Sequence, residues 1–369
     1  MKHLRNPLIL FTAAAALFTL TQTPHLDAGY VFRNGSLIND KYAASMSYLD
    51  HYSLACRAYT ACDWSEAHRN FYIVANSFDQ CPQASDALFY LGICYFNMNE
   101  FDMANDALDA YLSSSNNPQY FELAFAYKFA IAEQFRCGAK RRFCGTRKLP
   151  KWACGRELAA KIYNEVIISL PSHDLAVSAL YSKGWLLWED SDYKGAVESF
   201  QTLVRRFPRN ELTPECYILI NYVYLEQAEY EFQNPDILAL AEINTQRFIR
   251  AFPKEDRIAQ AERLYQCIKE VYAKGLYDIG VFYEKTCKIT AAVIYYQNTI
   301  ARFPDTQVAA AAVQRLYILR PDCYETLIPK AYFEPAPQPE EDLQEAGTDS
   351  SAIPEENFDL DKESTDDEE

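Results

Sequence analysis

The fold of this chain is decided by residues 280–306, GVFYEKTCKITAAVIYYQNTIARFPDT. Ala292 and Tyr296 are four residues apart, and residues at this interval lie on one face of a helix. Gly280 belongs to the helix before, and its lack of a side chain lets two backbones approach closely. Pro304 ends the second helix, because proline has no N–H to donate and its ring clashes with the preceding turn. The stretch therefore predicts two helices packed against each other.

The same arrangement of small and large residues occurs twice more, upstream of this stretch. Each copy has a glycine, an alanine twelve residues later and a large residue four residues after that. Helix pairs that recur at intervals of ~34 residues are typical of tetratricopeptide repeats. The residues that define the repeats are Gly92 and Ala104 in one copy, Gly184, Ala196, Phe200 and Pro208 in the next, and Gly280, Ala292, Tyr296 and Pro304 in the last.

The repeats predict an all-α, right-handed superhelical solenoid over residues 40–320. We expect about six helical hairpins and a closing helix near 306–319, because each hairpin buries its apolar face only by stacking on its neighbours. Such a stack has a groove along one side. An ordinary helical bundle is the alternative arrangement of the same helices.

The first 28 residues of the chain are typical of a secretion signal. Lys2 and Arg5 precede an uncharged apolar run of fourteen residues, 7–20. Such a run is short for a membrane-spanning helix, which needs ~20 residues. We expect cleavage after Ala28, so that residues 1–28 are removed; an uncleaved membrane anchor is the alternative.

The chain contains eleven cysteines, an odd number that leaves at least one without a partner in the same chain. Export to an envelope compartment would permit disulfides. Most of the cysteines fall within apolar helical patterns, where we expect buried thiols that act as small apolar residues. Examples are Cys94, Cys216 and Cys267.

A basic insert, residues 137–156, separates the two helices of the third hairpin. It holds Cys137, Cys144 and Cys154 among seven basic residues. We expect one disulfide within the insert. We expect no zinc site, because zinc prefers four ligands and often a closely spaced cysteine pair, and no histidine lies nearby.

Negative charge is concentrated in an acidic tail, residues 334–369. The tail carries fifteen acidic residues and one lysine, and the whole chain has a net charge of −16. Its prolines, acids and few large apolar residues predict disorder. The tail either serves only solubility or contacts a basic surface, such as the insert or a partner protein. Because the rest of the chain is close to neutral, we expect no nucleic-acid binding.

The sequence contains no recognisable catalytic motif. Its five histidines are scattered, and it has neither a phosphate-binding glycine loop, a nucleophile elbow nor a cluster of metal ligands. We therefore predict a binding scaffold that is not an enzyme and that uses no cofactor or metal.

Aromatic residues are the main candidates for binding. The chain has 27 tyrosines and 22 phenylalanines, many at core positions of the hairpins. Tyrosines beside the core positions would line the groove, where their large surface, few rotamers and hydroxyl group suit an extended peptide or an unfolded β-strand segment. The predicted partner-binding residues are Tyr90, Tyr127, Tyr222, Tyr283, Tyr295 and Arg302.

The last repeat resembles the BamD family, also called ComL or YfiO, of outer-membrane assembly lipoproteins. Members typically combine the pattern K-x-E/L-Y-x-x-A-x-F/Y-Y with a second helix that ends in Y/F-P-D-T. The resemblance is best over residues 264–316 and fair over residues 45–112. The matching residues are Lys274, Leu276, Tyr277, Tyr283, Phe303, Pro304, Asp305 and Thr306.

This resemblance implies a non-catalytic subunit of the machinery that folds β-barrel proteins into the outer membrane. Its amino-terminal groove would receive substrate or a partner segment, and its carboxy-terminal repeats would dock a BamA-like barrel subunit. The expected location is the periplasm, at the inner face of the outer membrane. Residues 1–55 lack the family's lipid-bearing cysteine, so we expect attachment through partners. The alternative is a soluble tetratricopeptide adaptor of another envelope complex, serving secretion, the cell wall or division.

Overall fold

The computed structural model describes residues 30–33, 36–39, 42–114, 118–142, 150–231, 234–321, 326 and 328. The expected signal and acidic tail lie outside these residues. Among them are two antiparallel β-hairpins, formed by β1 (Tyr30–Arg33) with β2 (Ser36–Asn39) and by β3 (Lys140–Arg142) with β4 (Lys151–Cys154). The helices of the described residues are α1 (Tyr48–Thr60), α2 (Trp64–Ser77), α3 (Gln83–Asn97), α4 (Phe101–Ser114), α5 (Phe121–Arg136), α6 (Arg156–Ser169), α7 (Asp174–Glu189), α8 (Tyr193–Arg206), α9 (Thr213–Tyr230), α10 (Pro235–Ala251), α11 (Ile258–Lys285), α12 (Ile289–Arg302) and α13 (Gln307–Leu319).

The chain forms two compact units, and the division falls between Asp278 and Ile279, inside α11. In the first unit, consecutive helices pack against each other in sequence order, from α1 against α2 through α9 against α10. In the second unit, α12 packs against α13. The predicted all-α fold of paired helices is therefore confirmed.

The alanines and large residues that mark each second helix are fully buried. Ala196 and Phe200 of α8 are 0 % exposed, and so are Ala292 and Tyr296 of α12. Pro208 follows the end of α8 and Pro304 follows the end of α12, where neither ring interrupts a helical hydrogen bond. The other fully buried members of the same pattern are Ala67, Phe71, Ala104, Leu108, Ala159 and Ala241.

Most of the turns between the two helices of a hairpin share one backbone feature. In four of them a residue other than glycine adopts a positive φ, between 58° and 62°, five positions before the buried alanine of the second helix. This left-handed conformation reverses the chain within three residues and is costly for a residue with a β-carbon. The four residues are Cys62, Asn99, Ser191 and Cys287.

The basic insert is a β-hairpin that docks on the amino-terminal end of α4. The guanidinium Nη2 of Arg142 lies 2.6 Å from Glu100 Oε2, and the backbone N–H of Arg142 donates to Asp102 Oδ2 at 2.6 Å. Lys151 adds an ion pair with Glu100 at 3.1 Å. At the end of the insert, Arg156 pairs with two acids that close α7, Glu189 and Asp190. The positive charge of the described part of the insert is therefore largely neutralised within the chain.

Two expectations about the cysteines are wrong. Cys137 and Cys154 are exposed free thiols, so the expected disulfide within the insert is not formed, and Cys144 lies outside the described residues. Cys267 is exposed rather than buried, because the periodicity of apolar residues does not report how far neighbouring helices cover a position. Cys94 and Cys216 are buried, as expected, and burial raises the pKa of each thiol to about 12.

Candidate protein-binding surfaces

Five tyrosines come together on the first helices of the first three hairpins, and we call this set the tyrosine surface. Tyr52 and Tyr59 lie on α1, Tyr90 on α3, Tyr127 on α5, and Tyr120 immediately before α5. All five side chains are half-buried. The ring centroids of Tyr59 and Tyr90 are 5.3 Å apart, and those of Tyr90 and Tyr120 are 6.0 Å apart.

Two buried phenylalanines pack against the tyrosine surface on its core side. Phe71 stacks against Tyr90 with a centroid distance of 5.3 Å, and Phe89 stacks against Tyr120 at 4.6 Å. Both phenylalanines are almost fully buried, at 0 % and 1 % exposure. The tyrosine rings are thus held in fixed positions before any partner arrives, which lowers the entropy cost of binding.

The hydroxyl and thiol groups of the tyrosine surface remain neutral hydrogen-bonding groups at physiological pH. A hydrogen bond with Tyr120, together with burial, raises the pKa of the Tyr90 hydroxyl. Burial also raises the pKa of Tyr52 and of the Cys56 thiol beside it. Asp86, near the same hydroxyls, has its pKa raised by burial. The surface therefore combines apolar rings with hydroxyl donors and acceptors, the combination that suits a peptide backbone.

An open cavity adjoins the tyrosine surface at Tyr120. It has a volume of about 670 Å³ and lies between the start of α5 and the start of α7. Its walls include Phe121, Leu123, His173 and Leu175. Leu123 is 47 % exposed, so the cavity offers apolar surface to a side chain of a bound segment.

The structure brings together only some of the predicted binding residues. Tyr90 and Tyr127 both belong to the tyrosine surface, and Tyr127 packs edge-on against Phe96 at 5.6 Å. Tyr222 lies on α9, is 36 % exposed and accepts a hydrogen bond from Gln260 Nε2 at 3.2 Å. It makes no ring contact with the tyrosine surface.

The remaining predicted residues belong to the second unit. Tyr283 and Tyr295 stack on each other with centroids 5.4 Å apart, and Arg302 is exposed in the last turn of α12. Beside them, Glu284 accepts hydrogen bonds from the Tyr296 hydroxyl at 2.8 Å and from the Arg315 guanidinium. The hydrogen bond with Glu284 raises the pKa of Arg315. This network joins the end of α11 to α12 and α13.

Sequence reasoning did not identify Tyr52, Tyr59 and Tyr120 as candidates. A signal for Tyr52 was present, because the position three residues before the small residue of each first helix is aromatic in four hairpins. Those aromatic residues are Tyr52, Phe89, Tyr181 and Tyr277. Tyr120 stands in a connection between helices, outside any helical periodicity, and no sequence pattern marks it.

A second cavity lies elsewhere in the first unit, and we call it the second-helix groove because most of its lining belongs to α8 and α10, the second helices of their hairpins. It has a volume of about 410 Å³ and lies between α8, α9 and α10. Its apolar wall includes Val204, Leu240 and Ile243, and arginines stand beside it at Arg205 and Arg247. Leu240 and Ile243 are each 44 % exposed.

Neither a metal centre nor a membrane-spanning helix is found in the described part of the chain. No group of three or more His, Cys, Asp or Glu residues there is placed to hold a metal ion. None of the helices described combines the length and apolar character required to cross a membrane.

Comparisons with known families agree with this geometry. Models of the tetratricopeptide repeat match residues 86–115, which include most of α3 and all of α4, and residues 156–211, across α6 to α8. The chain thus has an all-α tetratricopeptide-repeat fold. Such repeats are generally non-catalytic scaffolds that bind other proteins, and neither model describes an enzyme. No curated protein matches the chain in sequence.

Solved structures with a similar arrangement include three tetratricopeptide-repeat proteins. One is a repeat protein from Bacteroides fragilis, with 11 % identity, a TM-score of 0.37 and coverage of 67 % of this chain and 96 % of its own. Another is the carboxy-terminal part of a repeat protein from Cytophaga hutchinsonii, with 14 % identity, a TM-score of 0.35 and coverage of 72 % and 87 %. A third, from Parabacteroides merdae, has 13 % identity, a TM-score of 0.33 and coverage of 72 % and 97 %. At these values the likeness carries no argument about function.

Proposed function

We propose that the protein is a non-catalytic scaffold of outer-membrane β-barrel assembly, which binds an extended segment of a partner or of an unfolded barrel protein along the tyrosine surface. The observation that carries the proposal is the continuity of this surface with the cavity at Tyr120. An extended strand places alternate side chains on opposite faces. One row of side chains would enter the cavity, while tyrosine hydroxyls meet the backbone groups between them.

The last repeat supports the more specific part of the proposal. Its resemblance to the BamD family rests on residues of α11 and of the turn after α12. A BamA-like barrel subunit is the partner that this resemblance suggests for the second unit. The exposed side of that unit offers Phe282 and Ile294, which are 60 % and 51 % exposed. The periplasm, beside the outer membrane, is the location that goes with this role.

Binding of an unfolded barrel protein tests the first part of the proposal. The double variant Tyr90→Ser and Tyr127→Ser should bind an unfolded outer-membrane barrel protein, diluted from urea, at least tenfold more weakly than the wild type. Tyr230→Ser is the matched control, because Tyr230 is 74 % exposed on α9 and lies outside the tyrosine surface. Equal binding by the double variant and the control would refute the role of this surface.

Co-purification with the barrel subunit tests the second part. The protein should be recovered from solubilised envelopes together with a barrel protein that carries periplasmic repeat domains. Phe282→Glu with Ile294→Glu should abolish that recovery while leaving unfolded-protein binding unchanged. Recovery of secretion, cell-wall or division components instead would favour the alternative role of an envelope adaptor.

A further inference from the structure

The second-helix groove has an unusual combination of apolar wall and unpaired positive charge. Arg205 makes only weak contacts with its own helix, to Gln201 O and Thr202 Oγ1 at 3.3 Å each. Arg247 lies near Tyr217. Burial raises the pKa of the Tyr217 hydroxyl, and the positive charge of Arg247 partly offsets that rise. Neither arginine forms an ion pair with any residue that the structure describes. The groove is therefore complementary to a ligand that carries both apolar and acidic groups.

The basic insert is a weaker candidate for the same kind of ligand. Arg142 and Lys151 already pair with Glu100, and Arg156 already pairs with Glu189. An acidic ligand would have to displace these carboxylates, some of which are partly buried. By contrast, Arg205 and Arg247 of the second-helix groove form no ion pair with any residue that the structure describes, so an acidic ligand would displace no carboxylate there.

The acidic tail contains one short stretch with the required chemistry. Residues 355–363, EENFDLDKE, place Phe358 and Leu360 among five acids and one lysine. In an extended conformation Phe358 and Leu360 point to one side, and Asp359 and Asp361 point to the other. No other stretch of residues 334–369 alternates large apolar and acidic side chains in this way.

We propose that the tail segment 355–363 docks within the same molecule in the second-helix groove. Phe358 and Leu360 cover Leu240 and Ile243, while the neighbouring carboxylates pair with Arg205 and Arg247. The groove volume of about 410 Å³ falls within the range of pockets that take small ligands and side chains. Docking would remove the exposed apolar patch from water. This inference does not depend on the proposed function, because the groove is lined by α8, α9 and α10 and the tyrosine surface lies on α1, α3 and α5.

The docking segment is joined to the rest of the chain by a long connection. The 21 residues from 334 to 355 span up to ~70 Å when fully extended, at ~3.3 Å for each residue. A linker that can span two sites raises the effective concentration of one at the other, so that a weak contact within one molecule becomes populated.

Site-specific photo-crosslinking in the full-length protein tests the proposal. The photo-reactive residue p-benzoylphenylalanine is placed at position 240 in the groove and, as a matched control, at position 168, where Ile168 is 77 % exposed on α6. Irradiation at position 240 should give a cross-link to residues 355–363, identified by mass spectrometry. The cross-link should be at least tenfold weaker from position 168.

Variants distinguish specific docking from general attraction between charges. Arg205→Glu with Arg247→Glu should reduce the cross-link at least tenfold, and so should Phe358→Ser with Leu360→Ser. Adding Asp359→Lys and Asp361→Lys to the arginine variant should restore it. Because all of these residues are exposed or lie in the tail, circular dichroism should show unchanged helicity for each variant.

The same experiment contains the outcomes that would overturn the proposal. Mixing isotopically light and heavy protein shows whether the cross-link joins one molecule or two, and a link between two molecules would contradict intramolecular docking. So would equal cross-linking from positions 168 and 240, failure of the charge exchange to restore the link, or attachment outside residues 355–363.

Discussion

Gly184 on α7 lies directly against the ring of Phe200 on α8. A β-carbon at position 184 would lie 2.5 Å from Cε1 of that ring, closer than real carbon contacts come. The glycine is therefore required by the neighbouring helix, and not by an unusual backbone conformation. The same relationship holds at 2.8 Å between Gly92 and Leu108, and at 2.7 Å between Gly280 and Tyr296.

Replacing this glycine should destabilise the protein, although alanine favours helices. In an open helix, Gly→Ala stabilises by up to ~1 kcal/mol. In α7, Gly184→Ala pushes Phe200 out of a fully buried position, and overpacking of this kind typically costs ~1–3 kcal/mol. We expect a net loss of stability, measured as a lower midpoint of urea unfolding followed by circular dichroism.

A double-mutant cycle provides the control. In a Phe200→Ala background the ring is gone, so Gly184→Ala should cost little or should stabilise the helix. An equal loss in both backgrounds would mean that the close approach of Gly184 and Phe200 is not the reason for the glycine.

These contacts show why the repeats were predictable from sequence while parts of the binding surface were not. The size pattern of Gly184, Ala196 and Phe200 is local and repeats, so it identifies both helices of a hairpin. The exposure of a residue such as Cys267 depends on how far neighbouring helices cover it, which no periodicity reports. The strands of the insert depend on ion pairs with Glu100, about forty residues upstream, and such non-local contacts leave no local signal.

The left-handed turn residues provide a second prediction. A left-handed conformation costs a residue with a β-carbon ~1–2 kcal/mol, and glycine loses ~0.5–1 kcal/mol of conformational entropy. Ser191→Gly should therefore stabilise the protein by ~0.5–1 kcal/mol, measured by thermal unfolding. Asn99→Gly should have a smaller effect, since asparagine tolerates this conformation better.

A serine in a helix is the control for the turn variants. Ser178 lies inside α7, so Ser178→Gly should destabilise the protein. Destabilisation by Ser191→Gly as well would show that the serine side chain, rather than the backbone, determines the stability of the turn.

The contact between the insert and α4 should depend on pH. Burial alone would raise the pKa of Glu100, but hydrogen bonds and charges from Arg142 and Lys151 outweigh it, so the pKa is lowered. A carboxyl whose pKa is lowered by folding stabilises the folded protein at pH values above its ordinary pKa. This stabilisation is lost as the pH falls through the lowered pKa of the folded state. Glu100→Gln should therefore destabilise by ~1.5–3 kcal/mol at pH 7.

Thermal unfolding at several pH values checks this prediction. The melting temperatures of the wild type and Glu100→Gln should differ at pH 7 and converge as the pH falls below ~4. Glu122→Gln is a matched control, because Glu122 is an exposed acid in the first turn of α5, and it should have little effect at either pH. A difference that persists unchanged in acid would contradict the role of the Glu100 charge.

The last prediction concerns Lys128, a lysine with a side chain only 2 % exposed in α5. Its ammonium group pairs with Asp109 and Glu165, which are 45 % and 49 % exposed. Replacing a buried charged side chain by an apolar one often costs little stability. Removing only its partners is more destabilising, because the buried charge is then left uncompensated. Asp109→Asn with Glu165→Gln should therefore cost ~3 kcal/mol, the lower end of the usual range for breaking a buried pair, because both carboxylates are half exposed.

Lys128→Met should be the milder change, since methionine fills a similar volume and has no charge to bury. Urea unfolding of the two variants measures their order, and the triple variant should be no less stable than the double carboxylate variant. If Lys128→Met proves the more damaging, the ion pairs would be a net source of stability between α4, α5 and α6, and the desolvation cost of the buried ammonium would be smaller than argued.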